Sequence, residues 1–299
     1  MKGLKIGHAT NTQRQTGASI FIFENPAVGA YHLCGASPAS HELNTLELDA
    51  NVTQVNALAF LGGSAFGLNA VAGAMQWLKE RHQGWPTAHG CVPIVPAAAI
   101  YDFALGEALP PTQEEVYAAC ELATENNVAA GRVGAGTGAS IGKLAAHASR
   151  MTGGIGCAEI FLPDGVSVLV YAVINSVGDV RDREGKIIAG ARQSNGEFVD
   201  CEKFLLAGND EKVLLCANTT LIAIFTNAAF SKIELKRIAK MAVAGMGRAI
   251  SPIFTRYDGD IIFSFSLGNK KASELVVGTL AASVTHLAIM DAVKDSISL

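Results

Sequence analysis

The feature that most restricts how this chain can fold is a polar triplet, Asn218-Thr219-Thr220, placed between two short apolar runs. The first run covers residues 212–217 and the second covers residues 221–226, and both are rich in aliphatic and β-branched side chains. Short apolar runs of this kind are typical of buried strands. The sequence therefore predicts that one core strand ends and another begins at the triplet.

A threonine at such a junction can act as the nucleophile of a self-cleaving chain. If the Thr219 hydroxyl attacks the carbonyl of Asn218, an N-to-O acyl shift and hydrolysis leave Thr219 as a new amino terminus. The freed α-amine has an ordinary pKa of about 7.7–8.0, so it can accept a proton near neutral pH. The triplet also fits an N-glycosylation sequence and a plain turn or bulge, and the triplet alone favours the turn.

The composition indicates a globular chain with much apolar surface to bury. Hydrophobic residues make up 49% of the 299 residues, charged residues make up 17%, and the mean hydropathy is +0.29. These values exclude the disordered class and lead us to expect an oligomer. A net charge of −4 without a basic cluster argues against nucleic acid as a partner. The six scattered cysteines predict buried thiols, and the spacing of the seven histidines predicts no metal site.

The start of the chain and its apolar runs predict a location. Residues 1–5 lead into Gly7-His8 and not into the apolar core of a signal peptide. We also expect no apolar run long enough to cross a bilayer. The sequence therefore predicts a cytoplasmic protein without a membrane partner.

Predicted strands and helices alternate without a linker or a repeat, which favours a single domain over residues 1–299. Strands are predicted at 19–23, 57–61, 166–174, 212–217, 221–226 and 261–266, with an extended stretch at 91–96. Helices are predicted from a Ser64 cap to about His82, at 114–126, from a Ser231 capping box to about 245–247, and at 274–294. This order predicts a layered α/β sandwich, with helices covering the sheets.

A glycine-dense loop and two polar residues are the first candidates for a site. The loop covers residues 131–138, and its glycines, with Gly136 and Gly138 as the substrate-binding positions, let backbone amides approach a substrate. Lys143 follows the loop and can hold a carboxyl group or stabilise charge, although a solvated lysine is the simple alternative. Asn175 closes a predicted strand, where its amide can donate to an acyl oxygen or belong to a turn. No acidic residue follows the loop at ribose distance, so no dinucleotide cofactor is expected.

Two aspartates complete the candidate site. Asp258 and Asp260 flank Gly259 just before the strand predicted at 261–266. Side chains two residues apart at a strand entrance point the same way, so both carboxylates can orient the amine and hydroxyl of Thr219. A calcium loop and a plain acidic turn are alternatives, but too few further oxygen ligands follow for an EF-hand. The glycines around Ser64 do not match a serine-hydrolase elbow, which favours the helix cap.

Together these segments resemble the P1 (DmpA-like) family of N-terminal-nucleophile hydrolases. That family contains L-aminopeptidase/D-esterases, β-peptidyl aminopeptidases and endohydrolases of nylon (6-aminohexanoate) oligomers. The matching segments run in family order along nearly the whole chain: 7–10 with 16–17, 61–68, 92–96, 134–138 with Gly142-Lys143, 175–180, Asn218-Thr219-Thr220 and Asp258-Gly259-Asp260. Lysine after the glycine loop and the paired aspartates make the sequence most similar to the nylon-oligomer branch.

The resemblance implies a four-layer αββα sandwich of the type shared with ornithine acetyltransferase. It also implies a self-processing hydrolase cut between Asn218 and Thr219 into pieces of 218 and 81 residues (299 − 218 = 81). The implied site has Thr219 as nucleophile, Asn175 as oxyanion donor, and Lys143, Asp258 and Asp260 as further members. A homotetramer, a small peptide or amide substrate and the absence of a cofactor are implied as well.

Substrate and reaction class stay open at this point. Residues 34–42 depart from the usual run of the family, which contains an arginine, and this leaves the substrate undefined. An acyltransferase of the ornithine acetyltransferase type is one alternative, because it uses a self-exposed threonine to pass an acetyl group to an amine. A non-catalytic oligomeric binding protein, in which the triplet is merely a turn, is another.

Overall fold

The computed structural model describes residues 1–125, 127–144, 148–209 and 218–299, in which strands and helices alternate. The strands are β1 Leu4–Asn11, β2 Thr16–Leu33, β3 Ala39–His41, β4 Val55–Leu61, β5 Trp85–Thr87, β6 Gly90–Val92, β7 Ala97–Ala99, β8 Thr124–Glu125, β9 Ser140–Ile141, β10 Met151–Thr152, β11 Gly154–Phe161, β12 Ser167–Asn175, β13 Asp179–Arg181, β14 Ile187–Ala189, β15 Thr219–Ala228, β16 Ile250–Ser251 and β17 Ile261–Lys270. The helices are α1 Ser64–Gly67, α2 Val71–Glu80, α3 Gln113–Glu121, α4 Cys201–Leu206, α5 Lys232–Ala249 and α6 Glu274–Ala292.

The long strand β2 belongs to two sheets. Its first half pairs with β1 and β4, in a sheet of order β8-β1-β2-β4-β7-β3. Its second half pairs with β17, in a sheet of order β11-β12-β15-β17-β2. Neighbouring strands in both sheets are antiparallel except for β4–β7 and β15–β17. Helix α5 supplies the crossover that the parallel pair β15–β17 requires.

The two sheets pack face to face and carry helices on their outer faces. The layer between them is aromatic and aliphatic: the Phe21 ring lies 5.3 Å from Phe60 and 5.1 Å from Tyr171, measured between centroids. Helices α2 and α3 cover the first sheet, and α5 and α6 cover the second. The fold is therefore the predicted α/β, four-layer αββα sandwich.

Helix α6 is largely apolar along its length. By length and composition it is the one described helix able to cross a membrane, with a mean hydropathy of 1.6, and this corrects the expectation of no such run. In the fold α6 packs against α5, β11 and β12. These neighbours bury 56% of the helix, so burial accounts for part of its apolar character, as in the core helix of a globular protein.

Ser64 does not cap a helix, contrary to the prediction. The residue before α1 is Gly63, at φ 79°, and Ser64 itself has a left-handed φ of 53°. The predicted helix to His82 is divided into α1, a 3-10 turn and α2. Tertiary contacts fix the backbone at the start of α1, since the Gly63 N–H donates to the Asp102 carboxylate over 2.7 Å and the Ser64 N–H donates to the Ile100 carbonyl over 2.8 Å.

Other predicted elements are present with shifted ends. Helix α3 stops at Glu121 instead of residue 126, because Thr124–Glu125 forms β8 against β1. The capping box of Ser231 and Glu234 opens α5 as predicted, and the helix continues to Ala249. The strand predicted at 212–217, with its cysteine, and residue 126 lie outside the described residues. The five described cysteines are free thiols.

Candidate active site

Three strands of the second sheet end at one place and bring the predicted residues together. Thr219 begins β15 and is paired with Asn175, the last residue of β12. On the other side of β15, Asn218 bridges to Asp258, just before β17. Because β15 lies between β12 and β17, side chains from all three strand ends meet there. The five predicted catalytic residues are all buried: Lys143, Asn175, Thr219, Asp258 and Asp260.

The Thr219 hydroxyl lies against the peptide bond that the sequence predicts to be cut. Its Oγ1 donates to the carbonyl oxygen of Asn218 over 2.5 Å. The Gly259 N–H donates to the same oxygen over 2.8 Å. Donors aimed at a carbonyl oxygen stabilise the negative charge that develops there when the carbon is attacked. Gly259 is a site residue that the sequence analysis missed, because a backbone N–H has no residue-type signature.

Gly259 also needs to be small. A Cβ at this position would lie 2.9 Å from Thr219 Oγ1 and 2.7 Å from the carbonyl oxygen of Ser37. Real Cβ atoms essentially never make contacts under 3.0 Å. The missing side chain is therefore what lets the segment before β17 approach the hydroxyl of Thr219.

Lys143 fixes the side chain of Asn175. The lysine Nζ donates to Asn175 Oδ1 over 2.6 Å and to the Asn175 carbonyl oxygen over 3.0 Å, so the solvated alternative for this lysine is wrong. The Ser140 N–H also donates to Oδ1, over 3.1 Å. Asn175 Nδ2 donates to the Tyr101 carbonyl oxygen over 3.0 Å. An amide nitrogen carries two hydrogens, and among the described residues only the Tyr101 carbonyl accepts from this one.

The two aspartates bind the backbone around the threonine. Asp260 Oδ1 accepts the Thr220 N–H over 2.6 Å, and Asp258 Oδ2 accepts the Thr255 N–H over 2.6 Å. Burial raises the pKa of both carboxyls above the ordinary 3.8, and the charge of Asp258 raises the pKa of Asp260 further. The Lys143 charge opposes this rise at Asp258. The aspartate pair consequently keeps a proton at a higher pH than separate, solvated carboxyls would.

Asp102 is a buried acid near the site that the sequence analysis did not single out. Its carboxylate accepts the Thr16 hydroxyl over 2.7 Å and the Gly63 N–H over 2.7 Å. Burial raises its pKa, and the Lys143 charge counteracts that rise. It follows Tyr101, whose carbonyl holds Asn175. Asp102 thus anchors the loop that orients the Asn175 amide.

Gly136 and Gly138 pack against backbone. A Cβ on Gly136 would lie 2.2 Å from the Ile155 nitrogen, and a Cβ on Gly138 would lie 1.9 Å from the Gln15 carbonyl oxygen. These close contacts shape the loop that leads through Ser140 to Asn175. A direct role of either glycine in substrate binding stays a prediction.

The segment that departs from the family run lies beside the site. The Cys34 and Gly35 N–H groups donate to the Asp260 carbonyl oxygen over 2.9 and 3.1 Å, and the Ser37 N–H donates to that of Asp258 over 2.9 Å. A difference in this segment is therefore a difference next to Thr219. Within the described ranges, no group of three or more His, Cys, Asp or Glu side chains is placed to hold a metal ion.

The sequence profile of peptidase family S58 matches residues 1–298. The chain belongs to peptidase family S58. An uncharacterized aminopeptidase of Mycobacterium leprae is 33% identical over 298 aligned residues, which cover 91% of this chain and 79% of that relative. A 6-aminohexanoate-oligomer endohydrolase of Kocuria sp. is 30% identical over 312 aligned residues, with coverage of 98% and 84%. The resemblance inferred from the motifs is confirmed, and these relatives support a hydrolase of peptide or amide bonds.

Solved structures share the fold of this S58 chain. A β-aminopeptidase of Burkholderia sp. superimposes with a TM-score of 0.74 at 18% identity, covering 98% of this chain and 84% of the other. An L-aminopeptidase D-Ala-esterase/amidase of Ochrobactrum anthropi, described as a variant of the Ntn hydrolase fold, gives 0.75 at 15% identity, with the same coverage. At these identities the likeness concerns the fold, and it agrees with the αββα layers.

Proposed function

We propose that this chain is a self-processing amide hydrolase in which Thr219 becomes an N-terminal nucleophile. The observation that carries the proposal is the buried Thr219 hydroxyl, which lies 2.5 Å from the carbonyl oxygen of Asn218 while the Gly259 N–H binds the same oxygen. Nucleophile, target carbonyl and oxyanion donor are thus assembled in the intact chain. A plain turn requires none of these groups to be buried together.

In processing, the carboxylate pair takes the proton of the Thr219 hydroxyl, and the oxygen attacks the Asn218 carbonyl carbon. The bond from that carbon to the Thr219 nitrogen breaks, and the nitrogen gains a proton. An ester then links Asn218 to the Thr219 oxygen. Water hydrolyses the ester, which leaves a carboxylate on Asn218 and a free amine and hydroxyl on Thr219.

In turnover, the new amine of Thr219 accepts the hydroxyl proton, and the oxygen attacks the carbonyl carbon of a substrate amide. The second N–H of Asn175 donates to the oxygen on which charge develops. The amine of the substrate leaves with a proton, and water releases the acyl group from Thr219. The names of the relatives, an aminopeptidase and an oligomer endohydrolase, support small peptides or amino-acid oligomers as substrates.

Assembly and location are parts of the same proposal. Leu275 and Val276 on α6 are 70% and 46% exposed, and such apolar side chains support a homo-oligomer, which we propose to be a tetramer. We also propose a cytoplasmic location, which the free thiols of the five described cysteines support.

The substitution Thr219→Ala tests the proposal. We expect one unprocessed chain of 31.1 kDa and no amide hydrolysis, whereas the unaltered protein gives a second amino terminus that begins Thr-Thr-Leu. Thr226→Ala is a matched control, because Thr226 is a buried threonine of the same strand whose hydroxyl donates to the Ser167 carbonyl over 2.9 Å. This control is expected to process normally.

Intact mass spectrometry, N-terminal sequencing and a panel of aminoacyl amides, β-peptides and 6-aminohexanoate oligomers are the measurements. Cleavage of the Thr219→Ala chain at the normal rate would refute the nucleophile. Amide hydrolysis by a preparation that contains only the intact chain would refute the role of processing. If acetyl transfer from N-acetylornithine to glutamate were faster than hydrolysis, the protein would be an acyltransferase and not a hydrolase.

A further inference from the structure

A cavity of about 400 Å³ lies between the end of α5, the middle of α6 and the turn that joins β13 to β14. Its lining residues are Asp182, Arg183, Gly185, Arg248, Ser283 and His286. None of them belongs to the site around Thr219. We propose that this cavity binds a small oxyanion with two or more negative charges, either a phosphate or a di- or tricarboxylate.

Two arginines of the cavity have no acidic partner among the residues that the structure describes. Within the described part of the chain, neither Arg183 nor Arg248 forms an ion pair, whereas Arg14, Arg181 and Arg237 each do. The Arg248 Nε donates to the Ala244 carbonyl oxygen over 3.1 Å, which leaves its terminal nitrogens for a ligand. Guanidinium groups bind carboxylate and phosphate through two parallel hydrogen bonds. Two such groups at one cavity favour an anion with more than one charge.

The carboxylate of the cavity already accepts hydrogen bonds from its own turn. Asp182 Oδ1 accepts the N–H groups of Glu184 and Lys186, over 3.1 and 2.8 Å, within its own turn. Its charge offsets one arginine, so two guanidinium groups and one carboxylate leave a net positive charge at the cavity. An anion bound by both arginines would neutralise that charge.

His286 supplies a third group for the ligand. It is 5% exposed, and its Nε2 lies 3.2 Å from the Arg181 carbonyl oxygen. Because a carbonyl oxygen can only accept, Nε2 carries the hydrogen of the neutral ring and Nδ1 carries none. Burial and the charges of Arg248 and Arg183 lower the pKa of this histidine, and the Asp182 charge opposes them. A bound anion would cancel the arginine charges. The imidazole would then take up a proton more readily and donate to the anion through Nδ1.

The volume of the cavity suits a small-molecule ligand. Pockets for small molecules measure roughly 300–1,000 Å³, so a cavity of about 400 Å³ has room for phosphate and for a di- or tricarboxylate. Ser283 adds a hydroxyl to the lining, which suits an oxygen-rich ligand. Phosphate and polycarboxylates share this chemistry, and the binding test separates them.

The test is calorimetric titration of the full protein with inorganic phosphate, succinate and citrate at low ionic strength. We expect saturable binding of at least one anion, weakened about tenfold or more by Arg183→Gln and by Arg248→Gln, since a hydrogen bond to a charged group has this effect. Arg237→Gln is the matched control, because Arg237 lies on α5 but pairs with Glu274 over 3.3 Å outside the cavity. All three variants are expected to hydrolyse amides as the unaltered protein does.

A second measurement follows the imidazole resonances of His286 by NMR. The anion is expected to shift them and to raise the apparent pKa of this histidine, and the Arg183→Gln/Arg248→Gln double variant is expected to lose that response. The proposal is overturned if none of the three anions binds saturably. Binding that the double variant retains would place the anion outside this cavity, and binding that Lys143→Met abolishes would place it at the Thr219 site. Either result would equally overturn the proposal.

Discussion

The substitution Gly259→Ala tests whether the close approach of the segment before β17 positions the nucleophile. The Cβ of the alanine would lie 2.9 Å from Thr219 Oγ1, and ordinary contacts begin at 3.4 Å. A movement of 0.5 Å (3.4 − 2.9) by the hydroxyl or the segment would restore an ordinary contact. Gly259 does not have a left-handed φ, so the alanine acts through its volume and not through backbone strain.

The magnitude follows from this displacement. A misplacement of about 1 Å at a reacting centre costs about a hundredfold in rate, so half of it should slow processing about tenfold. The second contact, 2.7 Å to the Ser37 carbonyl oxygen, adds overpacking, for which a destabilisation of about 1–3 kcal/mol is typical. A slow but completed cleavage is therefore the expected result.

The assay follows the conversion of newly synthesised chain into the pieces of 218 and 81 residues on a denaturing gel, with thermal unfolding measured in parallel. Gly247→Ala is the control, because Gly247 lies in α5 and a Cβ there meets nothing within 4 Å. That variant should process normally and gain about 0.5–1 kcal/mol from helix propensity. If Gly259→Ala processed as fast as Gly247→Ala, the packing argument would be wrong.

Two further substitutions address the charges of the site. Lys143→Met removes both lysine hydrogen bonds to Asn175 and the charge that lowers the pKa of Asp258, so we expect processing to slow by about a hundredfold. The melting temperature should change little, because the buried ammonium and its desolvation cost are lost together. Lys186→Met is the exposed control, and normal processing by Lys143→Met would contradict the reasoning. Asp260→Asn tests the raised pKa of the carboxyl: its folded-state pKa lies above the ordinary 3.8, so the stability from its protonated form is complete below 3.8 and is lost as the pH rises through the folded value. The stability that the asparagine variant gains over the unaltered protein should therefore increase as the pH rises from about 4 to about 8. A difference in unfolding free energy, measured in urea, that stays constant across that range would disprove it.

The residues that the sequence identified share one local signature. Asn175 and Thr219 stand at the ends of apolar strands, and Asp258 and Asp260 stand just before one. A change from apolar to polar at a strand end is visible in the sequence, and the sheet then brings such ends together. Asp102 follows the same rule but escaped notice, because the run before it is mostly alanine and does not indicate a strand.

What the sequence could not show depends on contacts between distant segments. The backbone conformation at Ser64 is fixed by the Asp102 carboxylate and the Ile100 carbonyl, so the helix propensities of residues 62–68 do not reveal it. The cavity of Arg183, Arg248 and His286 joins three segments without a common pattern. The N–H of Gly259 is recognisable only from the position of the carbonyl that it binds.

The position of β15 explains how a chain of this kind can be cut and keep its site. A cut after residue 218 would leave β2, β11 and β12 in one piece and β15, β17, α5 and α6 in the other. Yet β15 is hydrogen-bonded along its length to β12, and β17 is hydrogen-bonded to β2. Two strand pairs therefore connect the piece before the cut to the piece after it. The cut itself falls at the end of β15 and removes no ladder bond within it. Both strand pairs and the apolar layers on both faces of the sheet would therefore hold the two pieces together after the proposed cut, and the new amine of Thr219 would stay beside Asn175, Lys143 and the aspartate pair.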